Sequence, residues 1–478
     1  MRPVYNLQWA SKDLGQETRI ALGDVNADGS LEIVAGTCAA VSGGSNLYVF
    51  KYTGKTYHQL ARESLGNHDT KCIRVFDIDR DGIDEIIIGS NRAILIYKMR
   101  GNRLVKIAEA TVGGTVVSLT AADIDGDRCP EIVAAVSGKS TIYIFRFDGS
   151  LTLVKQEAFR SNVACVSTGD VDGDGCHELV VKTYGSDGCF ISVISYSKGI
   201  KREKMRCRVA SGGREFLVVK DMNRDGKAEI ITDCTDRKVR IYGVLGTDCK
   251  VVWESPTLDK PPRDVDAYDV DNDGDIELVI VSLDTVYIYG WQNRRIILEW
   301  TQTIPNGVIC VAIGELDKRN YGEIVLGTVY GYIYVMEARR DKDRGKLWVG
   351  KVQALIQDTV EIPPGKPDAA KGVEAQARFS IDEVKVLCDK VIVDGDVTAK
   401  ILYVAAIPSQ PVHFFQATFP FLEFIHLHGA DPGMEALVFF NVEHVNVSVV
   451  GPRKIKVTIL FEMLVKLVKP YWDPCWDC

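Results

Sequence analysis

Residues Gly23-Asp24-Val25-Asn26-Ala27-Asp28-Gly29-Ser30-Leu31-Glu32-Ile33-Val34 (GDVNADGSLEIV) put oxygen-bearing side chains at alternate positions. A glycine follows, then a glutamate that opens an apolar run. The pattern returns as FDIDRDGIDEIIIG from Phe76, ADIDGDRCPEIVAA from Ala122 and GDVDGDGCHELVVK from Gly169. KDMNRDGKAEIITD from Lys220, YDVDNDGDIELVIV from Tyr268 and GELDKRNYGEIVLG from Gly314 complete the set. The leading acids are Asp24, Asp77, Asp123, Asp170, Asp221, Asp269 and Glu315, spaced by 53, 46, 47, 51, 48 and 46 residues. A period in this range marks a repeat architecture of four-stranded units.

One unit shows how the chain folds. Lys71–Phe76 alternates and enters the acidic loop; Glu85–Gly89, Ala93–Tyr97 and Arg103–Ala108 read as three further strands. β-branched and aromatic residues dominate, with no helical period. Seven such units predict a seven-bladed β-propeller. Leu7–Ser11 holds the place of an outer strand ahead of the first loop, so it is expected to close the last blade and cover its edge. The propeller is assigned to residues 1–344.

The loop spacing is D-x-[DN]-x-D-G-x-x-E, with positions counted from the leading acid. Hard cations such as calcium take six to eight oxygens. Oxygens at positions 1, 3, 5 and 9 converge if the backbone turns tightly, and the position-6 glycine permits that turn. The expected calcium ligands are Asp24, Asn26, Asp28 and Glu32; Asp77, Asp79, Asp81 and Glu85; Asp123, Asp125, Asp127 and Glu131. The second half of the ring offers Asp170, Asp172, Asp174 and Glu178; Asp221, Asn223, Asp225 and Glu229; Asp269, Asp271, Asp273 and Glu277. Calcium is thus expected in up to six blades, one ion per blade. In the third loop Arg128 replaces the glycine, so weak binding or a distorted turn is expected there. In the seventh, Arg319 occupies the third ligand position, its guanidinium standing in for the metal. The alternative for any loop is a metal-free turn held by Asx hydrogen bonds.

These loops resemble the FG-GAP repeat of integrin α-subunit propellers and of many bacterial proteins, over roughly residues 3–345. The resemblance implies a calcium-stabilised scaffold whose loops bind proteins or sugars. The Phe-Gly and Gly-Ala-Pro signatures are mostly eroded, and glutamate replaces aspartate at position 9.

Beyond the charged linker Arg339–Gly345 the period stops. Residues 345–469 read as an all-β sandwich, with strands at Val352–Ile356, Val384–Leu387, Lys390–Val393, Val397–Ala405, His413–Phe419, Leu437–Val449 and Ile455–Val468. DKVIVDGDVTAKILYVA, FPFLEFIHLHGADPGM and RKIKVTILFEMLVKLV resemble the SPOCS domain of spore-coat and spore-morphogenesis proteins of endospore-forming Firmicutes. That resemblance implies an assembly role and brings no catalytic motif. In the last strand Ile455, Val457, Ile459, Phe461, Met463, Val465 and Leu467 form one apolar face, and Leu460, Leu464 and Val468 make the other half apolar. Such a strand is covered on both faces or docked to a neighbour.

Composition narrows the function. The chain has 478 residues, 46% hydrophobic, and a formal charge of −8, which argues against nucleic acid as a partner. Six divalent ions would move that charge to +4. The first residues lack an apolar signal region, so cytoplasmic synthesis is expected, and no run reaches the ~20 apolar residues of a membrane helix. Thirteen cysteines fit a reducing compartment better than a disulfide framework. Cys72, Cys165 and Cys310 share one repeat column and read as buried free thiols. His426 and His428 share a strand face, but no third metal ligand accompanies them. Residues 470–478 carry Trp472, Cys475, Trp476 and Cys478, a docking tail that a disulfide could link, or a loose terminus.

The expected function is non-enzymatic: a calcium-rigidified propeller carried by an assembly domain, forming a homo-oligomer or polymer at a spore surface or in an extracellular fibre. Its rivals are a carbohydrate-binding adhesin and a polysaccharide lyase or hydrolase.

Overall fold

The computed structural model describes residues 4–15, 17–38, 44–197, 200–210, 216–292, 295–319, 321–339, 348–427, 430–432 and 434–468. The linker from residue 340 to 347, His428 and the Trp/Cys-rich tail lie outside them. The described elements are all β-strands. The chain divides into two compact units, Met1–Asp341 and Lys342–Cys478, each with its own core.

The first unit is a seven-bladed β-propeller. Blade 1 is Glu17–Gly23, Glu32–Cys38, Ser45–Tyr52 and Tyr57–Gly66, paired antiparallel in that order. Blades 2 to 5 repeat this from Cys72 to Thr111, Val116 to Ala158, Asn162 to Val209 and Leu217 to Glu254. Blades 6 and 7 run together as one six-stranded sheet. The strand Arg295–Gly314 pairs first with Glu277–Gln292 and then, past the left-handed residues Asn306 and Gly307, with Glu323–Thr328. Blade 7 ends on Ile333–Arg339, and its fourth strand is the chain's own Val4–Ala10, in register from Val4↔Arg339 to Ala10↔Tyr334. The first strand of each blade neighbours that of the next, and the seventh neighbours the first.

Burial follows position in the blade. Second strands such as Glu85–Gly89 and Glu131–Val136 are wholly buried because a blade covers each face, so they read as continuous apolar runs. Fourth strands such as Leu151–Ala158 face solvent. The cores lie between blades: Ile73, Ile86 and Leu95 pack with Val34 and Leu47, and Ile333 and Val335 pack with Ile20 and Ile33 across the closing seam. Polar pins reinforce these joints. Asp264 and Asp266 on the first strand of blade 6 accept the backbone N–H groups of Val311 and Ile313 on blade 7, at 3.1 and 2.9 Å. Lys182 of blade 4, 1% exposed, donates to Asp233 and Thr232 of blade 5 at 2.7 and 2.6 Å.

Cys72, Cys165 and Cys310 are free thiols on first strands; Cys165 and Cys310 are buried, and Cys72 is half-buried. Cys207 and Cys249, with Cα atoms 5.9 Å apart, form a disulfide joining the fourth strands of blades 4 and 5. They lie 42 residues apart, and only the packing of two blades brings them together.

The second unit is a β-sandwich of two three-stranded sheets. Trp348–Glu361, Lys454–Val468 and Glu435–Gly451 form one; Ala369–Leu387, Lys390–Ala405 and Val412–His426 form the other. Ile455, Val457, Ile459, Phe461, Met463, Val465 and Leu467 sit at 0–1% exposure on the core face of a central strand, whereas Leu460 and Leu464 on its other face are half-buried. Phe379, Phe421, Phe440 and Phe461 interlock at its centre, the Phe379 and Phe440 rings stacked at 4.3 Å. Two strands differ from the sequence reading. Residues 390–405 form one strand, not two, and 369–387 extends far beyond Val384–Leu387. The latter is an edge strand whose polar outer residues and three register shifts blur its alternation.

Candidate metal centres

Each acidic loop joins the first two strands of its blade. The position-9 glutamate starts the second strand and is 0–8% exposed in all seven blades. Its carboxylate accepts the position-2 N–H every time: Val25, Ile78, Ile124, Val171, Met222, Val270 and Leu316 donate at 2.6–3.2 Å. Position-1 acids of the first six loops accept the position-6 N–H at 2.7–3.1 Å. Position-5 acids accept the position-7 N–H over the same range. The alternating acids therefore hold their own turn.

Each of the first six loops has two left-handed residues, not one. Position 6 has φ between 71° and 100° in the first six loops, and position 4 has φ between 52° and 79° in all seven: Ala27, Arg80, Gly126, Gly173, Arg224, Asn272 and Lys318. Arg128 adopts the glycine conformation at φ 71° and donates its N–H to Asp123 at 2.7 Å. The distorted third turn expected from the sequence does not occur, because that hydrogen bond holds the arginine backbone in place.

Carboxylate oxygens lie within 4.8 Å of one another in the sets Asp77/Asp79/Glu85, Asp123/Asp125/Asp127, Asp170/Asp172/Glu178 and Asp269/Asp271/Asp273. Loops 1 and 5 have Asn26 and Asn223 at position 3, whose amides donate to Glu32 and Glu229 at 2.8 and 3.1 Å. What stands over each set comes from two equivalent places that the loop motif does not contain. One is the third-strand residue facing the position-9 glutamate. The other is the residue at the register shift of the fourth strand.

In blades 1 to 3 the third strand supplies a cation. Lys51 meets Asp28 and lies 3.2 Å from Glu32. Lys98 lies 2.8, 2.7 and 2.5 Å from Asp79, Asp81 and Glu85. Arg146 meets Glu131 and reaches Asp127 at 2.9 Å and Asp125 at 3.4 Å. In blade 4 the third strand has Ser195, and the fourth-strand shift supplies Lys204, at 2.5, 3.2 and 2.8 Å from Asp172, Asp174 and Glu178. Burial opposes the charge of Lys98 and Lys204, but the hydrogen bonds each ammonium donates to three carboxylates outweigh it and raise both pKa values.

Among the described residues, neither of these two places carries a lysine or arginine in blades 5 and 6. Blade 5 carries Gly243 and Val252 at the two places. Blade 6 carries Gly290 and, in the space above it, a fifth carboxylate, Glu299, 2.5–2.7 Å from where a Cβ on Gly290 would lie. Arg224 of the preceding loop reaches Asp269 from the rim at 2.9 Å. Burial, then repulsion from Asp271, Asp273 and Glu299, pushes Glu277 up to about 9. An oxygen-rich, electron-pair-dense set facing an opposing glycine suits a hard divalent ion. Blade 7 neutralises itself differently. Asp317, Glu323 and Glu337 cluster, with Arg319 3.3 Å from Asp317 and Gln8 donating to Asp317 at 3.1 Å. Arg319 also donates to Tyr52 of blade 1 at 2.9 Å, and burial pushes Glu323 up to about 9.

The fold and its loops define the molecule as a propeller of acidic-turn blades joined to a β-sandwich. Residues 77–134 and 123–181 match the FG-GAP-like repeat family, and residues 368–450 match the family described as SipL, SPOCS domain. The chain thus carries FG-GAP-like repeats and a SPOCS domain; neither family is one of enzymes. No curated protein matches it. Among solved structures it is similar to the crystal structure of BBS1N in complex with ARL6DN, soaked with lead. The TM-score is 0.52 at 15% identity, covering 71% of this chain and 99% of that one. At that identity the likeness concerns the propeller fold alone.

Proposed function

We propose that this chain is a non-enzymatic structural protein in which a rigid propeller is carried by a self-assembling SPOCS domain, at a spore surface or in an extracellular fibre. The observation that supports this best is where the acidic side chains are engaged. Their oxygens bind the backbone of their own turns, or an ammonium or guanidinium of their own blade, instead of converging on an open cleft. Such chemistry stiffens a ring. Loops outside the repeat columns then offer surface to a glycan or protein ligand. The SPOCS match adds the link to sporulation. The test is electron microscopy of the purified full chain, with calcium and with chelator: ordered oligomers or filaments are expected, and monomers alone under both conditions would sink the reading.

Calcium belongs to this proposal in a narrower form than one ion per blade. We assign two ions, one held by Asp221, Asn223, Asp225 and Glu229, the other by Asp269, Asp271, Asp273 and Glu277 with Glu299 alongside. When bound, each supplies the positive charge that Lys51, Lys98, Arg146 and Lys204 supply elsewhere. Elemental analysis after dialysis in calcium is expected to give two ions per chain; a value near six would refute the stand-in role of the basic residues.

A further inference from the structure

We infer that the edge strand Val412–His426 of the sandwich pairs antiparallel with the same strand of a second copy. This rests on the assembly reading above and names the surface that carries it. The strand ends its sheet, and among the described residues nothing pairs with its outer side. Its inner side pairs with the central strand without one register shift, from Lys390↔His426 to Val404↔Val412. The opposite edge, Ala369–Leu387, is protected instead. It has three register shifts and lies so close to Glu435–Gly451 that a Cβ on Gly372 would come 2.5 Å from the Val447 carbonyl oxygen. Bulges are a usual defence of a sheet edge; 412–426 has none, and Pro420 is its one edge-blunting residue.

Composition separates this edge from the other regular one. Trp348–Glu361 carries Lys351, Asp358 and Glu361; VHFFQATFPFLEFIH carries only Glu423. It exposes Val412, Phe414, Leu422 and Phe424 at 58%, 46%, 66% and 50%.

The occupant follows from the strand's symmetry. The exposed Phe414 and Phe424 lie five residues to either side of Phe419. Antiparallel pairing with a second copy sets Phe414 against Phe424, Gln416 against Leu422 and Val412 against His426. Glu423 falls opposite Phe415, so no like charges meet. Both aromatic positions carry the same fitting: the Lys390 ammonium lies 4.0 Å over the Phe424 ring and the Lys400 ammonium 4.7 Å over Phe414. In a twofold interface residue i meets j and j meets i, so both Phe414–Phe424 contacts form together. Pro420 removes one donor per strand near the centre, so the two arms carry the hydrogen bonds and the contact stays reversible.

Sedimentation of the full chain over a wide concentration range tests this. Self-association is expected in the wild type, weakened about tenfold or more by Phe414→Lys or Phe424→Lys, and unchanged by Leu245→Lys on the propeller rim. Thermal melts check folding, and Val412→Thr with Leu422→Thr offers a milder pair if the lysine variants unfold. A wild type that associates equally with and without these substitutions overturns the edge pairing and leaves the assembly reading standing. A wild type that is monomeric throughout overturns both. Association that appears only after removal of residues 469–478 would give the edge to that segment and overturn the pairing.

Discussion

Arg128 is the one residue in the first six loops that takes the position-6 conformation with a side chain, at φ 71°. An L-residue there is strained by roughly 1–2 kcal/mol relative to its right-handed form. Arg128→Gly relieves the strain but loosens the unfolded chain. The net expectation is a gain of about 0.5–1 kcal/mol, read as a higher urea midpoint with unchanged slope. Lys98 sits at the other extreme. Removing it leaves Glu85, 0% exposed, beside Asp79 and Asp81 with no cation. Lys98→Ala is expected to cost about 3 kcal/mol in chelator. Calcium should restore part of that loss, turning blade 2 into a metal-dependent blade; a melt that calcium leaves unmoved would deny the equivalence of ammonium and ion.

At the scale of the element, the hairpin of strands three and four decides what each loop holds. The register shift puts Leu60, Ile107, Val154, Lys204, Val252, Glu299 and Gln8 at one equivalent place, although their spacing from the loop differs blade to blade. The joint between blades 4 and 5 combines the Cys207–Cys249 bridge with the buried Lys182–Asp233 pair. Lys182→Ala takes the ammonium away from the buried Asp233 carboxylate and is expected to cost about 3–5 kcal/mol. The double variant Lys182→Met with Asp233→Leu should recover most of it, a contrast that denaturation of the four-member cycle reads directly. In the sandwich, Phe461→Ala opens a cavity amid three other phenylalanine rings, with an expected loss of about 3–5 kcal/mol.

For the whole molecule, Glu277 and Glu323 couple ring stability to pH. Both carboxyls are raised from 4.5 to about 9 by burial. Between those values the folded ring binds protons that the unfolded chain has released, so stability falls as pH rises. In chelator the melting temperature should therefore drop steadily across that window. Calcium should cancel the Glu277 share by stabilising its anion, and Glu323→Gln should remove the other share. A flat profile in chelator would show that neither group is held protonated.

Much of this molecule was legible in its sequence because the repeat states one local rule seven times. The D-x-[DN]-x-D-G-x-x-E spacing specifies a tight turn between two strands, and short-range hydrogen bonds within nine residues suffice to enforce it. The apolar runs after each glutamate likewise announced strands covered on both faces. The alternation of Lys454–Val468 announced a core strand of the sandwich. None of this depended on distant partners. What stands at the centre of each turn did. Lys51, Lys98, Arg146 and Lys204 lie between 13 and 26 residues beyond their glutamates, at no constant offset. Glu299 reaches blade 6 from a fourth strand, and Cys207 finds Cys249 only across a blade joint. Cross-strand register and blade-to-blade packing set these meetings. Register depends on loop lengths and bulges that a linear pattern does not encode, so folding alone determined which acidic turns meet a lysine or arginine of their own blade.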